Sequence, residues 1–230
     1  MEKCVAIVLS AGSGSRMKSD IPKQYLTVND KPVIYYTLKA FEESAVDQVI
    51  LVTGAGDTEY CRKEIVNKYG FQKVHAVVPG GAQRYDSVYQ GLKAVSNGEY
   101  VLVHDGARPL VTPEMIGRAI EGAREYGACV LAMPVKDTIK IAEASGYAVD
   151  TPDRSMLWQV QTPQAFSYEL LMTAYERMYR HPQKEITITD DAMVVETFTD
   201  KKIRLVEGSY RNIKITTPED LEIMKIFLKK

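Results

Sequence analysis

The sequence predicts an α/β fold: one domain over residues 1–230, built on a mainly parallel, twisted sheet with helices on both faces, and carrying a protruding β-arm at about 135–156. Three observations predict it. Short apolar runs rich in β-branched residues alternate with helical segments, a glycine-rich turn directly follows the first run, and the alternation breaks after Pro134. The runs at 5–9, 49–52, 74–78, 100–103 and 130–133 are continuous rather than alternating in polarity, as strands buried on both faces are. Between them, Asp30 is placed to cap a helix with Pro32 in its first turn. Asp57 is placed to cap 58–69, and Thr112-Pro113-Glu114 opens another helix. Residues 86–95 set Val88, Leu92 and Val95 on one apolar stripe. Beyond Pro134, extended segments at 135–142 and 147–150 flank Ala144-Ser145-Gly146 and predict a hairpin, which needs something else to pack on. Helices resume at 167–180 with Ser167 as cap, at 189–197, and at 217–228, where Thr217 and Asp220 are spaced as a capping box.

Composition narrows the function classes. With 230 residues, 45% of them hydrophobic and 26% charged, the chain has the make-up of a globule rather than a fibre or a disordered segment. Its 29 Lys and Arg against 30 Asp and Glu leave a net charge of −1, so no global positive field draws it to nucleic acid or to an anionic membrane surface. An anionic ligand has to be held by a local cluster. The three cysteines, Cys4, Cys61 and Cys129, are far apart and odd in number, with neither a disulfide framework nor a CxxC metal motif, and a reducing cytoplasm is the expected compartment. The apolar run at 4–9 is too short for the core of a secretion signal, and no stretch approaches the length of a membrane span.

The chemistry concentrates in the loops after the strands. Ser10-Ala11-Gly12-Ser13-Gly14-Ser15-Arg16-Met17 follows the first strand, with Pro22-Lys23 shortly after. Glycines there let backbone N–H groups approach an anion, and Arg16 and Lys23 add two cations, a combination suited to a polyphosphate. The loop lacks the Gly-Lys-Ser/Thr ending of a Walker loop, and Met17 stands where a dinucleotide fingerprint needs its third glycine. Gly80-Gly81 after the third strand brings backbone close to a ligand, and Ser87 adds a hydroxyl. Asp105 closes the fourth strand, where open parallel sheets gather ligands, and Arg108 follows it. His104, adjoining an apolar strand, reads as a structural or supporting histidine.

Taken in order, Ala11-Gly12 to Arg16-Met17 with Pro22-Lys23, then Gly80-Gly81-Ala82-Gln83-Arg84-Tyr85-Asp86-Ser87, Val103-His104-Asp105-Gly106-Ala107-Arg108-Pro109, Lys136-Asp137-Thr138, Gln161-Thr162-Pro163-Gln164, Thr189-Asp190-Asp191-Ala192 and Asn212-Ile213-Lys214 resemble the signature of the 2-C-methyl-D-erythritol 4-phosphate cytidylyltransferase family. The resemblance spans nearly the whole chain. It implies a Rossmann-like fold and a nucleotidyltransferase that joins CTP, as co-substrate, to a phosphorylated polyol in the non-mevalonate isoprenoid pathway, with release of pyrophosphate. It also implies Arg16 and Lys23 as transition-state stabilisers, and Arg154 and Lys214 as the residues that position the attacking phosphate.

By the same resemblance, CTP lies against Ser10, Ala11, Gly12, Gly14, Ser15, Gly81, Ala82, Ser87, Asp105 and Gly106. The polyol phosphate lies against Asp105, Arg108, Thr138, Arg154, Thr162, Thr189 and Lys214. Asp105 is the candidate ligand of a Mg2+ held mostly by phosphates, and it can equally bind substrate hydroxyls or orient Arg108. Thr189 also reads as a helix cap. The arm implies a homodimer in which Thr138 and Arg154 serve the neighbouring subunit's site.

Two other readings stay open at this point: a ribitol 5-phosphate cytidylyltransferase, and a nucleotide-binding regulator without turnover. The second would be expected to lack one of the loop cations, and both are present. Lys23→Ala should therefore cut pyrophosphate release by orders of magnitude while CTP binding survives; unchanged turnover would refute the assignment of Lys23.

Overall fold

A computed structural model describes residues 2–12, 21–181 and 187–229. Strand β1 (Cys4–Ser10) lies at the heart of a seven-stranded sheet, and Val5, Ala6, Ile7 and Val8 are all fully buried. It pairs in parallel with β4 (Gln48–Thr53) on one side and β6 (Tyr100–Asp105) on the other, so that Ser10 is level with Thr53 and Leu9 with Asp105. Strand β5 (Val74–Pro79) extends the sheet beyond β4. On the far side, β10 (Trp158–Ser167) runs antiparallel between β6 and β7 (Ala128–Pro134), and β11 (Arg204–Glu207) forms the edge. The order is β11-β7-β10-β6-β1-β4-β5, the mainly parallel α/β sheet that the sequence predicts. The chain steps from β1 to β4 to β5, then crosses back to β6 on the opposite side of β1. The crevice at their carboxyl ends is thus a topological switch point.

Both faces are covered because alternate residues of each strand enter different cores. Ala6, Val8, Leu51 and Leu102 pack under helices α1 (Val33–Glu42) and α4 (Pro113–Tyr126), which contribute Leu38, Phe41, Ile116 and Ile120. Val5, Ile7, Val52, Val101 and Val103 pack under α3 (Arg84–Lys93) and α5 (Tyr168–Arg180) through Val88, Leu92, Leu171 and Tyr175. Helix α7 (Pro218–Leu228) closes a smaller core through Met224, against Val28, Val33 and Ile215.

Several local signals act as the sequence implies. Thr112 accepts a hydrogen bond from the Met115 backbone at 3.4 Å, and Asp220 closes the capping box at Thr217. Others act differently. Asp30 caps no helix: it and Asn29 have φ of 60° and 47°, the two positive values of a tight hairpin turn between β2 (Thr27–Val28) and β3 (Lys31–Pro32). Pro32 instead stands at the N-cap of α1. Asp57 makes no capping bond to α2 (Thr58–Tyr60), which continues as a π-helical stretch over Cys61–Asn67. Ser167 occupies the N-cap of α5 without a side-chain cap bond. Helix α6 (Asp191–Phe198) is capped by Asp190, whose carboxylate accepts from the Met193 N–H at 2.9 Å, and not by Thr189.

The arm is a hairpin with short strands, β8 (Ile141–Ala142) and β9 (Ala148–Asp150), turning at Gly146 with φ of 89°. All three cysteines are free and buried, and among the described residues no helix is long and apolar enough to cross a membrane.

Candidate active site

The carboxyl ends of β1, β5 and β6 open into a cavity of about 440 Å3. It is lined by Ser10, Ala11 and Gly12, by the turn over 81–83 with Arg84 and Ser87, and by Asp105, Ala107 and Lys214, with Lys23 and Gln24. The turn lies this close only because Gly80 has no side chain. A Cβ there would stand 2.6 Å from the Ser87 hydroxyl and 2.8 Å from the Ala11 methyl. The Ser87 hydroxyl then holds the turn, accepting from the Gly81 N–H at 3.1 Å and donating to the Gln83 carbonyl at 3.2 Å. Gln24, which sequence reasoning passes over, is buried and donates its amide to the Ser10 and Gly12 carbonyls at 2.7 and 3.1 Å. It therefore ties the segment bearing Lys23 to the glycine turn.

Asp105 is the electrostatic centre. Its Oδ2 meets Lys214 Nζ at 2.7 Å and its Oδ1 meets Arg84 Nε at 3.3 Å, with Arg108 Nε 4.0 Å from Oδ2. Burial alone would raise its pKa, but Arg84, Lys214 and Arg108 outweigh that and hold the carboxyl far below the usual range. Asp105 is thus a permanent anion with no proton to give. Arg108 is fixed behind it, donating to the Asn212 carbonyl at 2.8 Å.

His104 faces away from the cavity and is fully buried. Its Nε2 pairs with the Arg108 carbonyl at 3.2 Å and its Nδ1 with the Thr162 hydroxyl at 3.0 Å. A carbonyl can only accept, so Nε2 carries the proton and Nδ1 accepts from Thr162. That hydroxyl also accepts the Asp105 N–H at 3.1 Å.

The expected site residues therefore divide into groups. Ser10, Ala11, Gly12, Lys23, Gly81, Ala82, Ser87, Asp105 and Lys214 all border the cavity. Gly14, Ser15 and Arg16 lie outside the described residues. Gly106, expected on CTP, does not line the cavity: its N–H donates to the Leu9 carbonyl at 2.8 Å, and a Cβ there would meet that same oxygen. Ala107 takes its place on the wall. The hydroxyl of Thr162, expected on the polyol phosphate, bonds to His104 and accepts the Asp105 N–H. Thr189 is exposed, its hydroxyl 3.5 Å from the Met193 sulfur, and is not part of the cavity wall. Thr138 and Arg154 are exposed on the arm, where Arg154 donates to the Lys136 carbonyl at 3.0 Å, and neither reaches the cavity of its own chain.

Among the described residues no three His, Cys, Asp or Glu side chains cluster as a metal site, and Asp105 is the one carboxylate lining the cavity. A single carboxylate fits a Mg2+ that takes most of its ligands from phosphates and water, rather than a metal caged by protein.

Comparison with known proteins is consistent from end to end. Residues 4–230 match the profile of the 2-C-methyl-D-erythritol 4-phosphate cytidylyltransferase family. A protein of that name from Lachnospira eligens is 54% identical over 225 residues, covering 97% of this chain and 98% of its own. One from Lachnoclostridium phytofermentans is 48% identical, covering 100% of this chain and 98% of its own. The crystal structure of 4-diphosphocytidyl-2C-methyl-D-erythritol synthase from Anaerococcus prevotii superimposes with a TM-score of 0.85 at 35% identity, covering 100% of this chain and 97% of that one.

Burial pushes the His104 pKa down from 6.5 to about 4. As pH falls, the unfolded chain takes up this proton before the folded one does. The contribution to stability is therefore full above about 6.5 and is lost on descent to about 4. Urea unfolding at pH 7 and pH 4 should show this group costing up to about 3 kcal/mol, with a shallower decline in His104→Gln. An equal decline in both proteins would rule out a buried neutral imidazole.

Proposed function

The chain belongs to the 2-C-methyl-D-erythritol 4-phosphate cytidylyltransferase family, and on that premise we propose that the cavity at the β1/β6 switch point carries the family's reaction. The protein is a CTP-dependent nucleotidyltransferase that transfers the cytidylyl group of CTP to 2-C-methyl-D-erythritol 4-phosphate in the non-mevalonate route to isoprenoids. The products are 4-diphosphocytidyl-2-C-methyl-D-erythritol and pyrophosphate. The observation that carries the placement is the convergence of Lys23, Arg84 and Lys214 with two glycine turns on one cavity beside a permanently ionised Asp105.

A phosphate monoester has a second pKa of about 6, so the acceptor arrives as a dianion and needs no general base. Its oxygen forms the new bond to the α-phosphorus of CTP while the bond to the β-phosphate bridging oxygen breaks, and pyrophosphate leaves with that electron pair. The protein's task is alignment and charge neutralisation. The wall supports this division of labour: Asp105 holds no proton, and His104 is neutral and turned away. Lys23 lies beside the glycine turn, where the triphosphate is held, and the family resemblance assigns Arg16 as a second transition-state cation. Lys214, on the Asp105 side, positions the attacking phosphate, with Arg108 behind. The turn over 80–83 offers backbone edges to cytosine, with Gly81, Ala82 and Ser87 setting its shape. Asp105 would be the protein carboxylate that holds a Mg2+ ion, which would supply further charge neutralisation.

Several large apolar side chains of the arm are open to solvent, among them Tyr147 at 74% and Met156 at 78% exposure, with Ile141 and Val149. Such a patch marks an interface. Since Arg154 and Thr138 stand away from their own cavity, the arm is assigned to a homodimer, where they complete the partner's site and Arg154 bears on the attacking phosphate. The buried, unpaired cysteines suit a reducing cytoplasm.

Purified protein given CTP and each phosphopolyol should release pyrophosphate with methylerythritol phosphate; turnover with ribitol 5-phosphate alone would overturn the substrate assignment. The exchanged arm has its own test. Lys23→Ala and Arg154→Ala homodimers should each be nearly inactive, whereas mixing and re-equilibrating them should restore about a quarter of full activity, because one site in each heterodimer regains both residues. No recovery would place Arg154 in its own subunit's site.

A further inference from the structure

Arg84 is held from two sides. Its Nε faces Asp105 Oδ1 at 3.3 Å, and its Nη2 donates to Asp191 Oδ2 at 2.7 Å. Asp191 is the first residue of α6 and is completely buried; its other oxygen, Oδ1, accepts the hydroxyl of Tyr175, equally buried on α5, at 2.6 Å. The start of α6 is itself anchored. Gln164 Oε1 on β10 accepts the N–H groups of Asp191 and Ala192 at 3.1 and 2.9 Å, and its Nε2 donates to Asp190 at 2.8 Å.

A buried carboxylate is unfavourable unless its oxygens are partnered, and an apolar group of like volume would pack as well. Here the charge reaches outward. Tyr175, Asp191, Arg84, Asp105 and Lys214 form one continuous line of polar contacts from the core beneath α5 to the cavity. Only the last three border the cavity, where Arg84 is about a quarter exposed.

We propose that Asp191, oriented by Tyr175, is a positioning residue for cytidylyl transfer: it holds Arg84 so that Arg84 engages only Oδ1 of Asp105 and leaves Oδ2 to Lys214. Without it the guanidinium swings to pair with both oxygens and displaces the Lys214 ammonium from its place beside the attacking phosphate. This role rests on the reaction assigned above.

A double-mutant cycle in the full-length protein tests it. Asp191→Asn should lower kcat/KM for the phosphopolyol about ten-fold, and that loss should vanish in an Arg84→Ala background, with the double variant within about two-fold of Arg84→Ala. Tyr175→Phe should act in the same direction more weakly, and also only when Arg84 is present; it carries the test if Asp191→Asn does not fold. Losses that multiply in both cycles, or an Asp191→Asn protein with a lowered thermal midpoint and unchanged kcat/KM per folded molecule, would overturn the inference and leave Asp191 a purely structural group. Turnover by the unmodified protein separates the two claims: its absence refutes the reaction and the inference together, whereas its presence with multiplicative losses refutes the inference alone.

Discussion

The charge of Asp105 organises this molecule. A carboxylate at the end of a central strand is largely desolvated, and that cost is met only if cations arrive from elsewhere in the chain. Arg84 comes from α3, Arg108 from the loop after β6, and Lys214 from the segment before α7. Two parts of the chain remote in sequence, those bearing Arg84 and Lys214, are thus pinned to the end of β6, where Arg108 follows Asp105 by three residues. With Asp105 engaged in this way, the cavity holds cations whose positions are fixed before any phosphate enters, and preorganisation of that kind is what a reaction without a general base requires.

The sheet makes the arrangement possible. Crossing back from β5 to β6 on the other side of β1 leaves the ends of β1 and β6 without a covering connection, so the glycine turn and Asp105 face the same crevice. The antiparallel strand β10 then supplies support from behind. Its buried Gln161, Thr162 and Gln164 bond to the segment before Lys214, to the β6 end and to the start of α6. One polar strand therefore supports the segment before Lys214, the Asp105 end of β6 and the start of α6 that holds Arg84. Removing solvent from His104 belongs to the same design, since a neutral imidazole can bridge Thr162 and the Arg108 carbonyl without adding charge.

Much of the frame is legible residue by residue. Runs such as Val49 to Val52 are strands buried on both faces, and Thr112 and Asp220 mark helix starts because capping is a local bond between near neighbours. The glycine turn, Gly81 and Asp105 are visible from residue type and place, and Lys214 through the family resemblance. Other features hide for physical reasons. Strand β10 carries too many glutamines to look buried, since burial of Gln161 depends on Ser209 and Asn212 and that of Gln164 on the start of α6, all far along the chain. Asp30 mimics a helix cap but, with Asn29, adopts the positive φ of a hairpin turn. Gln24 and Asp191 carry no local sign of their work, because each acts only on groups brought to it by folding.

The sequence by itself therefore determined the α/β class, the positions of most strands and helices, and the family, because backbone geometry, burial and catalytic motifs are written in short stretches. Tertiary structure decided which polar groups face the cavity and which are consumed in holding it. The Gly106 N–H bonds to the Leu9 carbonyl and the Thr162 hydroxyl to His104 and the Asp105 N–H, while Arg84 joins Asp105 to Asp191. The reason is that a hydroxyl or a charge has only so many partners, and which of them it meets is settled by contacts between elements that are distant along the chain.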